Sequence, residues 1–256
     1  MKFYIFRLAK KALFFYDMIC RKIYQQGDSM KKILLAVFFS LSLCVPALAG
    51  MNSDFKDHFN TSGFAAYNQD ISTMIGMADF HTGKGTSFPG FDVGATVSAV
   101  KTSDDSFSKE DYQYIPFITA ETQIPILGIG MAARGTSYND FESIGGGLKW
   151  NGNIALIHLS AAAFYDRYKT DYYQGNHYSA SASASVNVLF FTPYVGIGYD
   201  YSDMETKNMV HHSTDDDAVR YTAGVNFHPL PLLYVYGAYT YTKNNQGFQG
   251  GVGIHF

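Results

Sequence analysis

The chain has 256 residues, 47% of them hydrophobic and 16% charged, with a formal net charge of −3. This length suits one or two domains, and the absence of a basic excess argues against a nucleic-acid partner. Two cysteines are too few for a disulfide-built scaffold.

In chain order, the first clear element is Met30 to Ala49. Lys31 and Lys32 form a basic start, Ile33 to Val45 an apolar run, and Ala47-Leu48-Ala49 a small-residue cleavage site before Gly50. These are the three parts of a secretory signal peptide, and the run is too short for an ordinary transmembrane helix. Residues 1–29 precede the signal, so they are expected to be an over-extended translation start, with a cytoplasmic leader as the alternative. Cleavage after Ala49 removes eight of the 19 Lys and Arg, two of the 22 Asp and Glu, and both cysteines, Cys20 and Cys44. The mature chain is then acidic, with a net charge of −9, and cysteine-free, which suits transit through an oxidising compartment. No apolar run near 20 residues remains, so a membrane form of this chain must be a closed β-barrel.

Residues 50–86 carry a helical period: Phe64, Tyr67, Ile71, Met74, Ile75 and Ala78 recur at steps of three and four. Thr61 or Ser62 is the expected N-cap and Gly83 lies just beyond the expected end, with Phe55 and Phe59 extending the stripe upstream. The helix is expected either to lid the periplasmic mouth of a barrel, the plainer arrangement, or to lie in its lumen.

Residues 87–256 alternate with period 2 instead. Phe91, Val93, Ala95, Val97 and Ala99 oppose Asp92, Gly94, Thr96 and Ser98. Further on, Tyr178, Ala180, Ala182, Ala184, Val186 and Val188 oppose four serines and Asn187. A strand with one apolar and one small or polar face divides two environments. Ten such segments can be traced, the ninth (Leu233, Val235, Gly237, Tyr239 and Tyr241 outward) with the weakest parity. Longer polar links at 101–111, 135–142, 167–177, 202–219 and 242–247 alternate with tight ones at Pro125, Asn151-Gly152-Asn153, 189–192 and Pro229-Leu230-Pro231. Tyr165, Tyr178, Tyr199, Tyr201, Tyr239 and Tyr241 fall on the apolar face at the long-link ends. Trp150, Phe227 and Phe256 fall near the tight ends. Two aromatic girdles are expected where rings meet lipid headgroups.

The last strand, with Phe248, Val252, Ile254 and the terminal Phe256 on one face, resembles the closing strand of bacterial outer-membrane β-barrel proteins. The resemblance covers residues 87–256 and the signal. It implies an all-β, transmembrane, antiparallel up-and-down barrel of about ten strands with a short N-terminal helix. It also implies residence in the bacterial outer membrane, with both termini periplasmic after cleavage near Ala49. Phe256 would be the assembly signal, and the partners would be outer-membrane lipid, lipopolysaccharide and the barrel assembly machinery.

Three constellations could carry chemistry. His211-His212 followed by Asp215-Asp216-Asp217 could bind a metal, and omptin proteases, also ten-stranded, place a His and paired acids at the outer rim. No second acidic pair matches here, and a solvated acidic loop is expected. His177-Tyr178-Ser179 resembles the H-x-S pair of lipid A deacylases. Ala180 stands where that family has Asn, however, and no downstream acid matches, so Ser179 is expected to be one of the lumen serines. The inward charges Asp92, Glu121, Arg134, Lys149, Asp166, Asp200 and Arg220 imply a paired network or a narrow wet path, since buried charges persist only when paired or hydrated. No catalytic, cofactor or metal site is assigned. The expected function is a non-enzymatic outer-membrane barrel, either a narrow passive pore or a structural surface protein. The alternative is a barrel hydrolase acting on lipid or peptide at the cell surface.

Overall fold

The computed structural model describes residues 51–82, 90–124, 128–230 and 232–255. The expected signal, the stretch before it, Gly83, Pro125 and Phe256 lie outside the described residues.

Ten strands alternate in direction: β1 (Phe91–Lys101), β2 (Tyr112–Gln123), β3 (Ile129–Tyr138), β4 (Phe141–Ile154), β5 (Ile157–Lys169), β6 (Tyr173–Val186), β7 (Phe191–Thr206), β8 (Ser213–Leu230), β9 (Leu233–Thr242) and β10 (Gln246–His255). Each pairs with its sequence neighbours, and β1 pairs with β10, from Asp92 opposite His255 to Val100 opposite Gly247. The sheet therefore closes and leaves no unpaired edge, as lipid requires of a spanning sheet.

The faces follow the parity of the sequence, β9 included: Tyr234, Tyr236, Ala238 and Thr240 point inward. Ile118, Ile144, Leu148 and Val195 point outward, each more than half exposed. An apolar outer surface of this extent is what a bilayer would cover. Tyr165, Tyr178 and Tyr201 form one cross-strand row on that surface, with ring centroids 5.1 and 6.1 Å apart. Phe191 and Phe227 stack at 5.0 Å near the opposite end.

The connections depart from expectation. Among the described connections two are long, 102–111 and 207–212, both at the end where the longer links were expected. The stretch 135–142 is a hairpin in which only Asn139 and Asp140 leave the ladder, both at positive φ (47° and 64°), the conformation of a two-residue turn. Asn151-Gly152-Asn153, expected as a turn, lies within β4, and Ala155-Leu156 makes the turn instead. Asp215 to Asp217 likewise lie within β8 rather than in a loop. The physical reason is common to all of these. Past the lipid boundary a paired strand still satisfies its backbone amides, so polar residues on both faces do not end it.

Two helices precede the barrel, α1 (Met51–His58) and α2 (Phe64–Met77). They do not lid the tight-turn mouth. α2 lies in the lumen against β8, β7, β1, β2 and β6, descending from the long-loop end. α1 sits over that end, where Phe55 meets Phe107 of the β1–β2 link at 5.3 Å and Tyr173 at 4.8 Å, and Phe59 meets His212 at 5.8 Å. The expected stripe of α2 is buried, but so are Asn68, Gln69, Asp70, Ser72 and Thr73, because the barrel surrounds the helix on all sides. Neither Thr61 nor Ser62 caps α2. Gly63 is the N-cap without a side-chain bond, and Asn60 Oδ1 accepts from the Gly63 amide at 2.8 Å. The helix ends at Met77, where the Ala78 and Asp79 amides donate to the Ile75 and Gly76 carbonyls.

Inward glycine, serine and alanine make room for this segment. A Cβ on Gly76 would collide with the Asp200 carboxylate, so the helix comes this close to β7 only through glycine. The outer half of the lumen is then packed like a soluble core, with Ile71, Met74 and Met77 against inward Val100, Ile115, Phe117, Phe141, Tyr168 and Met204.

Candidate functional site

The lumen is crossed by polar groups at three levels. At the long-loop end, Asn68, Gln69 and Asp70 of α2 are bonded to the barrel wall or its links. Asn68 accepts from Tyr168 at 3.1 Å and from Ser202 at 2.9 Å, and Gln69 accepts from Asn244 at 2.9 Å. Asp70 accepts from Ser103 Oγ at 2.6 Å and Asn245 Nδ2 at 2.9 Å. Burial pushes the Asp70 carboxyl up to about 7, against the hydrogen bonds from Ser103 and Asn245 that favour its charged form. Beside this level an open cleft of about 520 Å³ is lined by Ser62, Gln69, Asp104, Asp105, Asp216 and Asn244, among others.

At mid-depth, Asp79 projects from the end of α2 between two arginines. Arg134 Nη1 donates to its Oδ1 at 2.8 Å, Arg220 Nη2 to its Oδ2 at 2.8 Å, and Ser179 Oγ to its Oδ1 at 2.9 Å. Arg134 also holds Asp166 through Nε at 2.7 Å and Nη2 at 2.6 Å. Its guanidinium lies 4.3 Å from the Phe164 ring centroid. Arg220 holds Asp200 through Nε at 2.9 Å and Nη2 at 3.1 Å. The His177 ring closes the circuit, with Nδ1 3.2 Å from Asp166 Oδ2 and Nε2 3.4 Å from Asp200 Oδ1. Of these two contacts only the one at Nδ1 has hydrogen-bond geometry.

Nearer the tight-turn end, Lys149 pairs with Glu121 at 2.5 Å, and Asp92 accepts from Tyr234 at 2.6 Å. His81 stacks on Tyr234 at 4.5 Å and stands 3.7 Å from Asp92, with His255 at 3.6 Å on the same carboxylate. A cavity of about 20 Å³, room for one water, separates this level from the one above.

All seven charges singled out in the sequence thus point inward and have partners. Asp92, Glu121 and Lys149 form the lower group; Arg134, Asp166, Asp200 and Arg220 form the middle one. The residue that joins the middle group, Asp79, escapes strand parity because it lies on no strand. The sequence does carry a trace of the network: Gly145 is paired with both Arg134 and Asp166, and Gly198 with Arg220, so a missing side chain marks each large charge. His177 and Ser179 share the inward face, but the ring faces two carboxylates and the hydroxyl is spent on Asp79. The three acids of 215–217 alternate faces, with Asp216 inward and Asp215 and Asp217 exposed.

A family model described as the outer membrane protein beta-barrel domain matches residues 61–256, which span α2 and all ten strands. The chain belongs to that family. Its place is accordingly the bacterial outer membrane. Among solved structures, the family member is similar to the N-terminal β-barrel domain of Pseudomonas aeruginosa OprF, at 14% identity over 65% of this chain and 97% of that one, with a TM-score of 0.37. It is similar also to the translocator domain of the autotransporter NalP from Neisseria meningitidis, at 14% identity over 77% and 99% of the two chains, with a TM-score of 0.48. A third is Ail, the attachment invasion locus protein of Yersinia pestis, at 16% identity over 65% and 97%, with a TM-score of 0.34. No curated protein matches the chain in sequence.

Proposed function

We propose that this protein is a non-enzymatic outer-membrane barrel held closed by its own N-terminal segment, a structural surface protein rather than an open pore. The observation that carries the reading is Asp79, which ties the segment after α2 to β3 and β8 at once through Arg134 and Arg220. Above it the lumen is filled by α2 and its aromatic neighbours, and beside it on the tight-turn side lies a cavity with room for about one water. A hydrolase would need a nucleophile with a free base beside it. The His177–Ser179 pair has its ring between acids and its hydroxyl on Asp79, and His158, which shares the inward face of β5 with Ser160, lies 2.6 Å from Asn153 Oδ1.

In this reading lipid and lipopolysaccharide surround the apolar belt, and the assembly machinery reads the last strand. The C-terminal strand ends in the periplasm with the tight turns. The long loops face outward, as in outer-membrane barrels generally. α1 then lies at the cell surface, the reverse of the expectation that both termini are periplasmic. The test is ionic current in planar bilayers. Intact protein should conduct little or nothing, and deletion of residues 54–79 should raise the current by opening a hydrated path lined by Gly and Ser. Equal current before and after the deletion would overturn the plug. Turnover of lipid A or phospholipid by purified protein would overturn the non-enzymatic reading.

A further inference from the structure

We propose that Arg134, Arg220 and Ser179 form a seat for a single small carboxylate, and that Asp79 is its built-in occupant.

The argument starts from ownership. Asp79 comes from the N-terminal segment, whereas all three side chains that donate to it, Arg134 Nη1, Arg220 Nη2 and Ser179 Oγ, belong to the barrel wall. The two arginines are already held in place without it. Asp166 takes Nε and Nη2 of Arg134, and Asp200 takes Nε and Nη2 of Arg220. Each guanidinium is fixed by a bidentate partner on the wall and aims a remaining N–H at one point. The wall is therefore preorganised around a place that the wall does not fill.

Desolvation leads to the same place. Asp166 and Asp200 each match one guanidinium, and the N–H groups that the two arginines have left over take Asp79 as their acceptor. A buried charged donor without an acceptor is costly, so the seat favours a carboxylate, which accepts from both arginines, over a group that cannot accept. Size sets the rest of the ligand class. The adjoining cavity, lined by Ala78, Asp79, Phe80 and Arg134 among others, holds about 20 Å³, so the seat suits a carboxylate of formate or acetate size. This inference rests on the reading of the N-terminal segment as a plug, but its readout is heat resistance, not ionic current, so the two can fail separately.

The test is chemical rescue in the full-length protein. Asp79→Ala removes the carboxylate and leaves its space. The temperature at which the barrel unfolds in detergent, read from the mobility difference between heated and unheated samples on a gel, should fall. Sodium formate should recover most of that fall in a saturable way, and sodium chloride at equal ionic strength should not. Formate should leave the unsubstituted protein unchanged. It should also fail on Asp79→Asn, whose amide fills the space. If Asp79→Ala does not fold unaided, formate present during refolding should raise the folded yield above that in chloride. Formate acting no better than chloride on the Ala variant, in either measurement, overturns the seat. So does an equal effect of formate on the unsubstituted protein.

Discussion

Arg134 on β3 and Asp166 on β5 meet across the strand that separates them, because the residue between them on β4 is Gly145. The two side chains form a bidentate pair, at 2.7 and 2.6 Å, in the space that a β4 side chain would take. A Cβ on Gly145 would overlap the Asp166 carboxylate, whereas one on Gly146, facing outward, would come no nearer than 3.7 Å to any atom. Gly145→Ala should therefore lower the unfolding temperature in detergent, by overpacking worth about 1–3 kcal/mol. Gly146→Ala should be nearly neutral. Equal behaviour of the two variants would mean that the pair does not depend on the gap.

Removing one member of the pair should cost more than crowding it. Asp166→Asn leaves Arg134 buried with Asp79 as its only remaining carboxylate, and His177 on β6 loses the acid opposite it on β5. Breaking a buried pair from one side typically costs about 3–5 kcal/mol. The exposed pair Lys169–Glu142, at 2.8 Å, offers the contrast, since Glu142→Gln should change stability by less than about 1 kcal/mol. Denaturant titration of both variants in the same detergent checks the order, and a larger loss at Glu142 would overturn it.

The mouth should loosen as pH rises. Burial raises the Asp70 carboxyl to about 7, above its ordinary value of 3.8, so between these values the folded state binds a proton that the unfolded state has released. Stability from this group is then full below pH 3.8 and declines as pH climbs towards 7, with a slope of at most about 1.4 kcal/mol per pH unit. Asp70→Asn keeps a group of the same shape that cannot ionise. The difference in unfolding temperature between Asp70→Asn and the unsubstituted protein should grow in favour of the variant from pH 4 to pH 7 and stay level above that. A constant difference across the range would show that Asp70 keeps its charge or its proton throughout.

The barrel was legible because period 2 is a strong signal wherever one face meets lipid and the other does not. It set the faces of all ten strands and brought out the seven inward charges. The connections were less legible. Asn139-Asp140 and Ala155-Leu156 turn the chain in two residues each, and the polar tracts around them stay paired. Composition cannot separate a polar strand outside the lipid from a loop. The position of α2 was not legible either, since a helical stripe states that one face is buried and not where. Buried Asn68, Gln69 and Asp70 on the other face decide it, each through partners far along the chain.

The direction in which the N-terminal segment threads the barrel gives the last prediction. Phe55 packs between Phe107 and Tyr173 at the long-loop end, Asp79 lies at mid-depth, and His81 reaches Asp92 near the tight turns. The chain therefore runs down the lumen before β1 begins. Lys56 on α1 is exposed at one end of the barrel, and Leu189, in the turn after β6, is 93% exposed at the other. The native cysteines, Cys20 and Cys44, both precede the expected cleavage site at Ala49, so an introduced cysteine should report alone. On intact cells a membrane-impermeant maleimide should label Lys56→Cys and leave Leu189→Cys unlabelled until the outer membrane is permeabilised. Labelling of Leu189→Cys on intact cells, with Lys56→Cys protected, would reverse the orientation and put α1 in the periplasm. Protection of both would mean that α1 is covered at the surface by a further layer.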